Sequence, residues 1–129
     1  ATERLRRAVE IDPDNSQAWV LLAGVYNETN SDKAIRCYEN AIKLNPKSYL
    51  AYRGLGNYYL KKKDYSLAEV YYNRAIDINP FRFGPIYKNR AFARLKSGKG
   101  SVKEDLEKYL YYMPGATDRI SVQQAIKEL

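Results

Sequence analysis

The chain has no histidine, one cysteine, one methionine and one tryptophan among 129 residues. Without histidine, both the commonest general base and the commonest zinc ligand are missing. The single thiol, Cys37, excludes an internal disulfide framework, and its plain reading is a buried or semi-buried core group. No apolar run is long enough to span a membrane, and no signal-like stretch opens the sequence. Metal-ligand clusters, phosphate-cradling glycine loops and nucleophile elbows are also lacking, and Gly54, Gly56, Gly98 and Gly100 stand in helix-packing or turn contexts. The triplet Asn27-Glu28-Thr29 fits a glycosylation sequon, a pattern common by chance. These absences lead to the expectation of a protein that is not an enzyme and needs no metal or cofactor. They leave the compartment open, with the cytoplasm as default.

What is present is repetition. The phrase AIKLNP at Ala41 to Pro46 returns as AIDINP at Ala75 to Pro80, and the closing prolines Pro13, Pro46, Pro80 and Pro114 stand 33, 34 and 34 residues apart. Three further columns keep the same step: Ala1, Ala34, Ala68 and Val102; Leu5, Tyr38, Tyr72 and Leu106; Ala8, Ala41, Ala75 and Tyr109. A fixed period of this length marks a repeat architecture. Within a unit, Leu55, Gly56 and Tyr59 recur at helical spacing over Tyr49 to Leu60, and Ala68, Tyr72, Ala75 and Ile76 do so over Ser66 to Ile78. The polar break KKKDY separates the two. Each pair then stops at a proline, which cannot continue the hydrogen-bond ladder and biases the residue before it away from the helix.

Tyr52, Leu55, Gly56, Tyr59, Ala68, Tyr72, Ala75 and Pro80 resemble the tetratricopeptide repeat pattern at all eight of its marks. The preceding unit offers Trp19, Leu22, Ala23, Tyr26, Ala34, Tyr38, Ala41 and Pro46. The following one departs from the pattern: Tyr87 takes the opening aromatic place, but Arg90 and Arg94 stand where leucine and tyrosine belong, and Val102 and Tyr109 replace the two alanines. The resemblance implies an all-α fold, a right-handed superhelical solenoid of antiparallel helix pairs with about eight helices. The expected division is a truncated repeat's second helix at 1–13, repeats at 15–46 and 49–80, a divergent repeat at 84–114 and a capping helix at 117–129. In that last helix Thr117 or Asp118 would be the N-cap, and Ile120, Ala125, Ile126 and Leu129 the apolar groups.

The net charge of +7 is unevenly placed. Residues 1–48 hold seven Lys or Arg against seven Asp or Glu, whereas residues 49–129 hold fifteen against eight. Such asymmetry points to an acidic partner for the second part. The resemblance implies that the first helices of each pair line a concave face. There Arg53 and Asn57 lie four apart, followed by Lys61, and the next first helix offers Lys88, Asn89, Phe92 and Lys96. These seven residues are the expected peptide-binding set, a partly basic groove for an acidic or extended segment of a partner protein. Each also has a plainer reading: the lysines and arginine as solvated surface, Asn57 as an ordinary helix-surface residue, Phe92 as a ring packed on the capping helix. Some members of the family clamp a C-terminal carboxylate. Arg53, Asn57 and Asn89 resemble part of that arrangement, but Val122 stands near where it would want a basic residue.

Two alternatives belong beside the scaffold reading. Nucleic-acid binding is suggested by the basic second part and by Lys61, Lys62 and Lys63; against it, Val20 and Gly24 stand where Arg53 and Asn57 stand later, so no polar reader repeats from unit to unit. Self-assembly through the unpartnered helix at Ala1 to Asp12 is the other, and it would show as a concentration-dependent mass in sedimentation.

Overall fold

A computed structural model describes residues 2–29, 31–81 and 84–129, with the side chains of Glu28, Thr29 and Ser31 outside that description. The described residues form eight helices and no strand: α1 (Thr2–Ile11), α2 (Ser16–Thr29), α3 (Ser31–Leu44), α4 (Tyr49–Lys61), α5 (Tyr65–Ile78), α6 (Pro85–Ser97), α7 (Val102–Tyr112) and α8 (Arg119–Lys127). The expected all-α solenoid is therefore what the chain forms. Ala1, the first residue of the proposed self-assembly helix, lies outside the described residues, as do two of the three side chains in the Asn27-Glu28-Thr29 triplet.

Local chemistry sets the boundaries. Ser48, Asp64 and Ser101 cap α4, α5 and α7, each side-chain oxygen accepting from the backbone N–H three residues on. Such a bond satisfies one of the donors that a helix start leaves open. In the break after α4, Lys63 adopts a left-handed φ of 64°, and the N–H of Asp64 donates back to the Tyr59 carbonyl at 2.9 Å. Gly98 closes α6 in the same conformation at φ 73°, its N–H donating to Arg94 at 2.8 Å. A left-handed residue ends a helix because it turns the chain while using up an open carbonyl, and glycine does so without strain.

Packing follows the sequence columns. Ala34, Ala41, Ala68 and Ala75 are fully buried, small groups that let neighbouring helices approach. Glycine serves the same end on α4: a Cβ on Gly56 would lie 2.5 Å from the Tyr72 ring, and one on Gly54 2.5 Å from the Tyr38 ring. Consecutive helices all pack together. Beyond that, α2 meets α4 and α4 meets α6, whereas the backbones of the described second helices α1, α3, α5 and α7 stay farther apart from one another. The first helices thus form the inside of the curve and the second helices splay on its outside.

The unit built from α6 and α7 replaces apolar packing by ions. Arg90 donates from Nε and NH2 to the two oxygens of Asp105 at 3.0 and 2.7 Å, and from NH1 to Asn73 Oδ1 at 2.9 Å. Arg94 donates to Glu69 at 2.6 Å and to Asp105 at 3.0 Å. Asp105 is completely buried and Arg90 nearly so. A buried charge is tolerable only when it is paired and hydrogen-bonded, as both are here.

The final helix differs from its expectation. It spans Arg119–Lys127, two residues shorter at each end than the run 117–129. Ile120 is 82% exposed and Leu129 58%, so neither is a core group, while Val122 is the buried anchor and Ile126 packs beside it. Asp118 is one of the two expected N-cap residues. It occupies the N-cap position without a capping bond, because its carboxylate is taken by Lys88 and by the Tyr109 hydroxyl.

Candidate functional site

The inner face is built by α2, α4 and α6, and its polar centre is Asn57. The Tyr72 hydroxyl donates to Asn57 Oδ1 at 2.5 Å, and Asn89 Nδ2 reaches the same oxygen at 3.4 Å. Helical spacing puts Asn57 one turn beyond Arg53, and the α4–α6 contact brings Asn89 to it. Burial pushes the Tyr72 phenol far above its ordinary range, with the nearby Arg53 guanidinium opposing that shift. Tyr72 is therefore a fixed neutral donor, and it holds the Asn57 amide in one orientation.

Arg53 and Asn57 share a pocket of about 260 Å³ with Gln17, Leu21, Asn27 and Leu50. Its apolar floor is half open, with Leu21 50% exposed, and Gly24 presents no side chain to it. Asn27 Oδ1 is buried without a hydrogen-bond partner. Gln17 and Asn27 are absent from the sequence-based set. The signal was nonetheless present: residues 17, 20, 24 and 27 follow the i, i+3, i+4 pattern of one helical face. Only the two inner positions, Val20 and Gly24, match those of Arg53 and Asn57.

The other expected residues separate. Lys88 is turned toward α8, where its ammonium pairs with Asp118 and lies 5.5 Å from the Tyr109 ring. Asp118 is held below the usual carboxylate range by the Lys88 bond and then the Tyr109 bond. Phe92 is 45% exposed and meets Tyr65 of α5 edge-on at 6.0 Å, so the ring packs there and not on the capping helix. Lys96, a turn later, sits 5.6 Å over the Phe92 ring. Lys61 is exposed at the end of α4. Val122 is buried, so the place where a clamp would want a cation belongs to the core. Among the described residues no cluster of three or more metal-ligating side chains occurs, and no helix is long and apolar enough to cross a membrane.

The family model for the tetratricopeptide repeat matches residues 26–82. Over 81 residues the chain is 33% identical to the cell division cycle protein 27 homolog of Caenorhabditis elegans, an alignment covering 62% of this chain and 10% of that protein. It is thus similar to a small part of a much longer relative. Among solved structures, MamA superposes with a TM-score of 0.83 at 20% identity, covering 98% of this chain and 75% of that one. The first repeat domain of Spaghetti (RPAP3), bound to the HSP90 peptide SRMEEVD, gives 0.79 at 22% identity over 91% and 94% of the two chains. At such identities the superpositions bear on fold alone. Sequence columns and helix pairs agree with the tetratricopeptide repeat model, which the chain matches over residues 26–82.

Proposed function

We propose that the chain is a protein-interaction scaffold whose inner face holds an extended, acidic segment of a partner protein without performing chemistry on it. The carrying observation is the α2–α4 pocket, where the Arg53 cation and the oriented Asn57 amide converge beside an apolar floor. An extended peptide offers both a counterpart: a carboxylate and a backbone carbonyl. Asn89 continues the path onto α6. Lys88 contributes only to a ligand carboxylate that displaces Asp118. A solved neighbour of the same fold carries an acidic peptide, which supports the reading by analogy of architecture.

The test is titration with a fluorescein-labelled acidic peptide, comparing the wild type with Arg53→Glu, whose site is half-exposed. A drop in affinity of tenfold or more with an unchanged helical spectrum is expected. Equal affinity in the folded variant would remove Arg53 from the site. Binding that vanishes at raised salt and is equally strong for an oligonucleotide would favour nucleic acid.

A further inference from the structure

One column of the repeat changes chemistry at every step: Cys37, Tyr71 and Asp105, spaced 34 residues apart. Each faces the slot between successive second helices, floored by the first helix between them. In the middle unit Tyr71 fills that slot. Its ring stacks on Tyr59 at 5.6 Å and 6°, and on Tyr52 at 6.4 Å and 23°, with the Arg74 guanidinium 5.7 Å from its centre. In the last unit Asp105 fills it with Arg90 and Arg94. In the first unit the flanking positions are again aromatic, Trp19 for Tyr52 and Tyr26 for Tyr59, but the filling residue is only a thiol.

The result is a pocket of about 340 Å³ between α1 and α3, with Val9, Trp19, Leu22, Tyr26 and Cys37 in its lining. The walls are preset. Trp19 Nε1 donates to the Pro13 carbonyl at 2.8 Å, which fixes the indole, and the Lys33 ammonium lies 5.4 Å from the Tyr26 ring. The rim carries Arg6, Lys33, Arg36 and Glu10, with Arg6 also paired to Glu3 at 3.8 Å, so Arg36 is the cation on which the charge argument rests.

We propose that this outer-face pocket receives one aromatic side chain, flanked by acidic residues, from a partner protein. The incoming ring takes the place that Tyr71 takes internally one repeat later, between two aromatic walls at offset-stacking distance. The cationic rim selects carboxylates beside it. The site is on the opposite side of the array from the Arg53 pocket and does not depend on it.

The chain's one tryptophan lies in the pocket wall, so its emission reports occupancy directly. The probe is a capped pentapeptide with a central tyrosine between paired glutamates, compared with its central-alanine counterpart. The tyrosine peptide is expected to shift Trp19 emission saturably and to bind at least tenfold more tightly than the alanine peptide. Indistinguishable titrations on the wild-type protein would overturn the proposal without recourse to any variant. Cys37→Tyr is expected to fill the slot from within, raise the melting temperature and remove the response, while Cys37→Ala keeps it. A response persisting in a folded Cys37→Tyr protein would place the peptide elsewhere and sink the assignment. Arg36→Glu is expected to weaken the tyrosine peptide several-fold, and an unchanged affinity would refute the acidic flank. Arg53→Glu leaves this response intact, which separates the two sites.

Discussion

The two adjacent units α4–α5 and α6–α7 solve one packing problem with different chemistry. In the first, Leu55, Tyr59 and Tyr71 close the helix pair with apolar and aromatic contacts. In the second, the matching positions are Arg90, Arg94 and Asp105, closed by a hydrogen-bonded ion network that also recruits Glu69 and Asn73 from α5. The backbone frame is kept while its filling changes sign and polarity. A tetratricopeptide frame therefore asks its core columns for volume and closure, and oily side chains are one of several ways to supply them.

Breaking the ionic version has the largest expected effect. Asp105→Ala leaves Arg90 buried and unpaired, so a loss of about 3–5 kcal/mol is expected in urea unfolding. Restoring the ordinary marks together, Arg90→Leu with Arg94→Tyr and Asp105→Tyr, removes the buried Arg90–Asp105 pair but leaves Glu69 without Arg94, so a stability near that of the wild type and above that of Asp105→Ala is expected. If the triple variant is less stable than Asp105→Ala, the two fillings are not interchangeable and the comparison fails.

The glycines sharpen the same contrast at smaller scale. Gly56→Ala drives a methyl into the Tyr72 ring and is expected to cost about 1–3 kcal/mol by overpacking. Gly24→Ala meets nothing within 4 Å and is expected to gain up to about 1 kcal/mol from helix propensity. Thermal unfolding of the two proteins side by side checks both signs.

A smaller effect is expected at the end of the array, where Lys88, Asp118 and Tyr109 tie α6, α7 and α8 together. The folded carboxyl of Asp118 titrates below its ordinary value of 3.8. It therefore stabilises the docked helix above that pH, and the contribution is lost as pH falls through the lowered pKa. Lower protection of the α8 amides, measured against their intrinsic exchange at the same pH, is expected below pH 3.8, and Asp118→Asn should give the same change at neutral pH while α2 to α5 keep their protection. Exchange in α8 that Asp118→Asn does not alter would show that the helix is held by its other contacts, Val122 and Ile126 in the core and the Arg119 bond to the Leu110 carbonyl.

The helix pairs were legible because their signals are local. Apolar spacing and the proline stops act within a few residues of themselves, and their recurrence made the period visible. Arg90 and Arg94 were legible only as departures. Their partners Asp105 and Glu69 look like any surface carboxylates in a linear reading, since nothing in the local sequence marks them as buried. The contacts of Lys88 and Phe92 were not legible for a related reason. A helical face says which side a residue occupies, but Asp118 and Tyr65, which hold them, come from other elements.

By itself the sequence determined the all-α class, the helix-pair period, the departure of the third unit and the pairing of Arg53 with Asn57 on one face. These follow from short-range spacing, which backbone geometry converts directly into position. Tertiary structure alone decided that Arg90, Arg94 and Asp105 form a closed network, that Lys88 serves α8, and that Cys37 leaves open the slot which Tyr71 fills. Those outcomes depend on which side chains meet across helices, and the packing of three or more elements sets that distance.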